Sequence, residues 1–186
     1  MKTLFFSLLM IISVALFAQN DLNIGDKVPG FEAFADDGST WKMKDFVGEK
    51  YLVVYFYPAA MTGGCTAQAC AYRDLSSDLE SQDALVVGVS GDNVEGLKFF
   101  KKAHNLNFTL LSDETGKIAQ LFGVPTRDGG TFKSEFNGQA FELERNITTS
   151  RWTFILDKEG KVVYKNDEVN AQKDTEEVLE FLKNNT

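Results

Sequence analysis

The chain has 186 residues, 44% of them hydrophobic and 25% charged, enough for one domain with a real core. Its net charge of −8 argues against nucleic acid or an anionic membrane surface as partner. Sixteen phenylalanines point to an aromatic-rich interior, and no repeat or low-complexity tract interrupts the chain.

The first segment stands apart. Lys2 precedes an apolar run from Leu4 to Phe17, after which the chain turns small and polar. This is the pattern of a secretory signal peptide, with cleavage expected after Ala18. Leu16 is larger than the residue usually found three positions before a cut. An uncleaved membrane anchor is the alternative, but the run is short for a span of about 20 residues. The expected organisation is a signal peptide over 1–18, a single domain over 19–186, and export to the periplasm.

Beyond it, Phe31-Glu-Ala-Phe-Ala and Thr40-Trp-Lys-Met read as a small hairpin across Asp36-Asp-Gly-Ser. Lys44 to Gly48 reads as a turn or short helix. Tyr51 to Tyr57 is continuously apolar, as in a strand covered on both faces. A helix is expected from about Thr62 to Ser81, and a second buried strand from Ala84 to Ser90. Asp92 stands three residues before Glu95, a capping-box spacing for the next helix, which ends near His104. Phe108-Thr-Leu-Leu is a third strand, Gly116 to Phe122 a short helix, and Trp152 to Leu156 a fourth strand. Gly160 turns the chain into Val162-Val-Tyr164, and an amphipathic helix runs from about Thr175 to Leu182. Alternating strands and helices predict an α/β fold with a mixed central sheet flanked by helices. Asn137-Gly138 between two alternating runs predicts an inserted β-hairpin near 131–144. Its role is open between surface decoration and contact with a partner or second copy.

The only two cysteines are Cys65 and Cys70. Cys65 follows a strand that breaks at Pro58 and Gly63-Gly64, so it falls at or near a helix N-terminus. There the unpaired backbone N–H groups and the helix dipole favour thiolate over thiol. Five residues along an intact helix separate two Cα atoms by roughly 8.6 Å. A disulfide needs no more than about 7 Å. The pair can bridge only if the helix partly unwinds, and so short a loop gains little as a static staple. The spacing favours a redox cycle over a structural disulfide. It is not Cys-x-x-Cys, and it lacks the further ligands of a zinc site, so no metal or cofactor is expected. His104, the only histidine, lies in the charged stretch Lys101-Lys-Ala-His-Asn and reads as solvated rather than catalytic.

Pro58-x-x-x-Thr62-x-x-Cys65 resembles the Pro-x-x-x-Thr/Ser-x-x-Cys signature of the peroxiredoxins, the AhpC/TSA family. Cys70 with Ala71-Tyr-Arg-Asp74 resembles the bacterioferritin-comigratory, or PrxQ, subgroup, in which a resolving cysteine follows five residues after the peroxidatic one. The likeness continues through Gly88-Val-Ser-Gly-Asp92, Phe108 to Asp113, and Arg151-Trp-Thr-Phe-Ile-Leu-Asp157-Lys-Glu-Gly160. It covers the chain from about Leu22, apart from the hairpin.

The resemblance implies a thioredoxin-like fold and a thiol peroxidase. Cys65 would attack the peroxide, and Thr62 would hold it. Arg151 would supply positive charge to the thiolate, Pro58 would shield it, and Cys70 would close an intramolecular disulfide. A thioredoxin-like reductant would reopen that bond, and the chain would act as a monomer or weak homodimer.

Arg73 and Asp74 read as a structural pair, and Tyr57 and Met61 as packing residues. The chain departs from the subgroup at Gly63, usually Pro, which is expected to loosen the loop ahead of Cys65. Trp152 replaces a small residue and is expected to reshape the pocket. Two other readings stay open: an exported thioredoxin-like thiol–disulfide oxidoreductase, and a binding domain with a structural disulfide.

Overall fold

The computed structural model describes residues 22–185, so the expected signal segment over 1–18 lies outside the described residues. The longest apolar runs become the inner strands of a seven-stranded sheet. These are β3 (Tyr51–Phe56), β4 (Ala84–Ser90) and β5 (Thr109–Ser112), which lie parallel in the order β3-β4-β5. The hairpin of β1 (Glu32–Ala35) and β2 (Thr40–Lys42) adds antiparallel to β5. At the other side β8 (Trp152–Leu156) pairs antiparallel with β3, and β9 (Val162–Asn166) closes the sheet. The sheet is therefore mixed and covered on both faces, as the alternation of elements predicts.

Helices α1 (Gly63–Asp74), α2 (Ser76–Glu80), α3 (Val94–His104) and α5 (Asp174–Asn185) bury Tyr72, Leu79, Phe100 and Leu182 against one face. Helix α4 (Lys117–Phe122), with Phe31, Trp41 and Met43, covers the other. The period of two in β3 divides its side chains, with Val53 and Tyr55 on the first face and Leu52, Val54 and Phe56 on the second.

Three expectations need correction. The helix expected over 62–81 breaks at Leu75, where the Asn107 amide donates to the Arg73 carbonyl (3.3 Å) and the Ser76 hydroxyl (2.7 Å). The cap of α3 is Asn93, whose side chain accepts from the Gly96 N–H at 2.8 Å. Asp92 points inward instead and is fully buried. The inserted hairpin is longer than 131–144: β6 (Thr126–Phe136) and β7 (Gln139–Thr149) pair from Thr126↔Thr149 to Phe136↔Gln139. Its turn is Asn137-Gly138, both at positive φ, as the sequence predicts.

The base of this hairpin is built into the fold. Leu143 is buried, and the backbones of Asp92 and Arg145 pair in an isolated antiparallel β-bridge. Gly91 is obligatory at this crossing, because a Cβ there would stand 2.2 Å from the Ile147 carbonyl oxygen. The Thr149 hydroxyl donates to the Tyr57 carbonyl at 2.9 Å. The hairpin thus braces the loop that leaves β3.

Candidate active site

The loop between β3 and α1 carries Pro58 and Thr62. Its backbone is held by Asp92, whose Oδ2 accepts from the Ala60 N–H and the Ser90 hydroxyl, each at 2.8 Å. Burial pushes the Asp92 carboxyl above the usual carboxylate range, against those donors and nearby Arg145. Met61 takes a left-handed backbone, φ 65°, immediately before the helix cap. A non-glycine residue there stores strain of order 1–3 kcal/mol, which the surrounding contacts must hold.

Thr62 occupies the N-cap position, but its hydroxyl donates to the Ala59 carbonyl at 2.9 Å and makes no capping bond. The hydroxyl oxygen still has lone pairs with which to accept. Cys65 is the third residue of α1 and only 1% exposed. The first backbone bond of the helix runs from the Thr66 N–H to the Thr62 carbonyl. The amides of Gly63, Gly64 and Cys65 lie ahead of it and lack an intrahelical acceptor, a ready-made seat for an anion. Cys70 lies on the same helix, half-buried, and both cysteines are free thiols.

Arg151, just before β8, reaches the thiol from the neighbouring strand. Its Nη2 lies 3.3 Å from Cys65 Sγ, and its Nη1 donates to Gln68 Oε1 at 2.5 Å. A guanidinium beside a sulfur at a helix N-terminus favours the thiolate and can stabilise charge on a departing oxygen. Gly64 lies beside the guanidinium, and a Cβ there would stand 3.5 Å from Arg151 Nη2, an ordinary van der Waals contact. Of the residues expected from the sequence, Arg151 meets Cys65 directly, Thr62 stands at the N-cap of the helix that carries Cys65 and Cys70, and Pro58 stands at the start of the loop before it.

The chain matches the AhpC/TSA family model over residues 24–165. It belongs to that family. Peroxiredoxin Bcp of Bacillus subtilis is 38% identical over 162 residues, covering 87% of this chain and 96% of the relative. The solved structure of peroxidoxin BcpB from Mycobacterium tuberculosis superposes with TM-score 0.74 at 30% identity, covering 89% of this chain and 99% of that one. The bacterioferritin comigratory protein of Xanthomonas campestris, whose structures address its alkyl peroxide reduction activity, superposes with TM-score 0.68 at 25% identity, over 83% and 90% of the two chains. The chain is thus a peroxiredoxin of the Bcp/PrxQ group, a thiol peroxidase with the thioredoxin-like fold. These relatives lend no support to the disulfide oxidoreductase alternative.

Other expectations change with the geometry of this peroxiredoxin. Trp152 does not shape the pocket. Strand alternation turns it to the opposite face of the sheet from Arg151, against Phe154, with Lys165 Nζ 4.9 Å from its ring centre. Gly63 is not in a loose loop but is the first residue of α1, with nothing near a would-be Cβ. His104 is half-buried rather than fully solvated. Its ring packs edge-on to Phe100 and Phe136, and burial, with Arg73 nearby, lowers its pKa. Arg73 is structural, as expected, pairing with Asp74 and donating to the His104 carbonyl at 2.6 Å.

Gln68, Tyr72, Thr153 and Asp174 were not singled out from the sequence. Asp174 Oδ2 accepts from the Gln68 side-chain NH2 at 2.6 Å, from the Tyr72 hydroxyl at 2.7 Å and from the Thr153 hydroxyl at 3.0 Å. Asp174 is fully buried, and burial pushes its carboxyl upward although all three donors pull it down. A polar Gln on the apolar side of α1 was the available signal. Among the described residues no group of three or more His, Cys, Asp or Glu is placed to hold a metal ion.

Proposed function

We propose that this peroxiredoxin reduces hydrogen peroxide and organic hydroperoxides through Cys65, with Cys70 as resolver. The observation that carries the reading is Arg151 Nη2 at 3.3 Å from Cys65 Sγ at the start of α1. The Cys65 thiolate attacks the terminal oxygen of the peroxide. The O–O bond breaks, the sulfur becomes a sulfenic acid, and the departing alkoxide or hydroxide takes up a proton. Arg151 and the first amides of α1 stabilise the charge that moves along this line. The Thr62 hydroxyl holds the peroxide, and Pro58 limits water at the sulfur. The Cys70 thiolate then attacks the sulfenic sulfur, expelling hydroxide, which leaves as water, and forming the Cys65–Cys70 disulfide.

That second step needs α1 to unwind between the cysteines. A thioredoxin-like dithiol returns two electrons by thiol–disulfide exchange and resets both thiols. The alkyl peroxide reduction of the Xanthomonas relative supports extending the substrate class to organic hydroperoxides. The signal-like N-terminus supports export to the periplasm, where the reductant would have to reside. In this reading the chain works as a monomer or weak homodimer.

Mass spectrometry after one equivalent of hydrogen peroxide tests the cycle. The expected product is an intramolecular Cys65–Cys70 disulfide. Cys65→Ser should abolish peroxide consumption, and Cys70→Ser should leave a sulfenic acid trappable on Cys65. Full activity in Cys65→Ser would overturn the proposal.

A further inference from the structure

The polar cluster behind Arg151 joins three elements at one carboxylate oxygen. Asp174 Oδ2, at the start of α5, accepts from Gln68 and Tyr72 of α1 and from Thr153 of β8. The orientation of Gln68 is fixed by its two partners. Only its NH2 can donate to the carboxylate, and only its carbonyl can accept from Arg151. A continuous chain therefore runs from Asp174 through Gln68 to Arg151 and on to Cys65 Sγ. Asp174 Oδ1 is buried and has no hydrogen-bond partner, as has the hydroxyl of its neighbour Thr175. A buried carboxylate with an unsatisfied oxygen is costly to keep, so its retention asks for a reason.

We propose that Asp174 is a positioning residue: through Gln68 it holds Arg151 against Cys65, and through Gln68 and Tyr72 it holds α1 wound. Because Gln68 lies between the two cysteines, unwinding α1 for disulfide formation breaks the chain. The same event that frees Cys70 to reach Cys65 withdraws the support of Arg151. Asp174 thereby favours the peroxide step and opposes the resolving step. This rests on the catalytic reading above. The ionisable groups around the carboxylate are Tyr72 from α1, Tyr55 from β3, Tyr164 from β9 and Glu177 one turn along α5. None of them carries the opposite charge, so the link to Arg151 through Gln68 is the route by which a cation meets this site.

The test measures two things on each purified full-length variant. One is the pH profile of Cys65 alkylation by iodoacetamide, read peptide by peptide by mass spectrometry. The other is the pair of single-turnover rates, sulfenic acid formation and then disulfide formation, with hydrogen peroxide. Asp174→Leu should move the Cys65 alkylation profile to higher pH and slow sulfenic acid formation by about tenfold, a smaller loss than the roughly 10²–10³-fold of removing such a donor outright. Disulfide formation should become faster, not slower. Asp174→Asn, which can still accept from Gln68 and Tyr72, should restore the parent profile to within about threefold.

Gln68→Leu breaks the chain while leaving the Asp174 side chain in place with Tyr72 and Thr153, and should match Asp174→Leu in the alkylation profile. The double variant should add nothing further to that shift. This second variant keeps the test alive if Asp174→Leu does not fold. Parent-like alkylation profiles in folded Asp174→Leu or folded Gln68→Leu would overturn the proposal, as would slowing of both chemical steps together. If the parent consumed no peroxide, the peroxidase reading would fail, while the alkylation profile would still decide whether Asp174 acts on Cys65.

Discussion

The two faces of the central sheet are built from the same strands and yet differ in kind. One face is filled with hydrocarbon: Phe56, Phe122 and Phe154 meet at ring-centre distances of 5.0 to 6.1 Å, with Phe31 and Trp41 beside them. The other face carries Tyr55, Tyr57 and Tyr72, stacked at 4.7 to 5.5 Å, around Cys65, Gln68, Thr153 and Asp174. In β8 the division is residue by residue, with Phe154 on the apolar side and Thr153 on the other. Hydrocarbon needs only shape to pack well. The polar face must also satisfy donors and acceptors, and it leaves the Tyr55 and Tyr57 hydroxyls and Asp174 Oδ1 without partners. Chemistry therefore sits on the less comfortable side of the sheet, where a buried charge can be aimed at a sulfur.

Four changes sharpen or break this contrast. The largest expected effect is on the apolar face. Phe154→Ala should cost about 3–5 kcal/mol in denaturant unfolding. The fraction still folded should react with peroxide at the parent rate. A comparable loss of rate per folded molecule would mean that the two faces are not separable. Next comes Arg151→Ala, which should slow sulfenic acid formation by about 10²–10³-fold, since it removes a charge aimed at the reacting atoms, and should cost about 1–3 kcal/mol of stability through the buried Gln68 carbonyl it leaves unpartnered. Stopped-flow kinetics against a melting curve would separate the two readouts.

The third change is a slope with pH. The Asp174 carboxyl is pushed upward by burial, so the folded state keeps a proton that the unfolded chain has already released. Stability from this group is full below the unfolded value, near about pH 4, and is lost as pH rises through the folded value. Asp174→Asn should remove that loss. Its stability relative to the parent should improve from acid to neutral pH, and a flat difference would contradict the burial argument. The smallest effect is expected at Gly63, the first residue of α1, with open space around it. Gly63→Pro should raise stability by roughly 0.4–1 kcal/mol, because proline suits the first helical position and restricts the unfolded chain.

Local signals carried much of the architecture. Apolar runs placed β3, β4 and β8 to within a residue or two, because a strand buried on both faces leaves no polar alternation. Asn137-Gly138 located the hairpin turn. The break at Leu75 escaped notice because it depends on Asn107, distant in sequence, bonding to Arg73 and Ser76. The cap at 93 was misplaced by one residue because Asp92 is consumed in holding Ala60.

By itself the sequence singled out the proposed reactive residues. Pro58, Thr62, Cys65 and Cys70 lie within one short segment, so their relation follows from chain geometry, and Arg151 is marked by its resemblance to the family motif before a buried strand. Only the tertiary structure decided what stands behind them. Gln68 and Asp174 are 106 residues apart, and nothing local marks either as the partner of the other. Their meeting requires α5 to return across the sheet and present its first residue to α1 and β8. The same holds for Trp152, whose distance from the pocket follows from the alternation of β8 across a sheet that the linear sequence does not display.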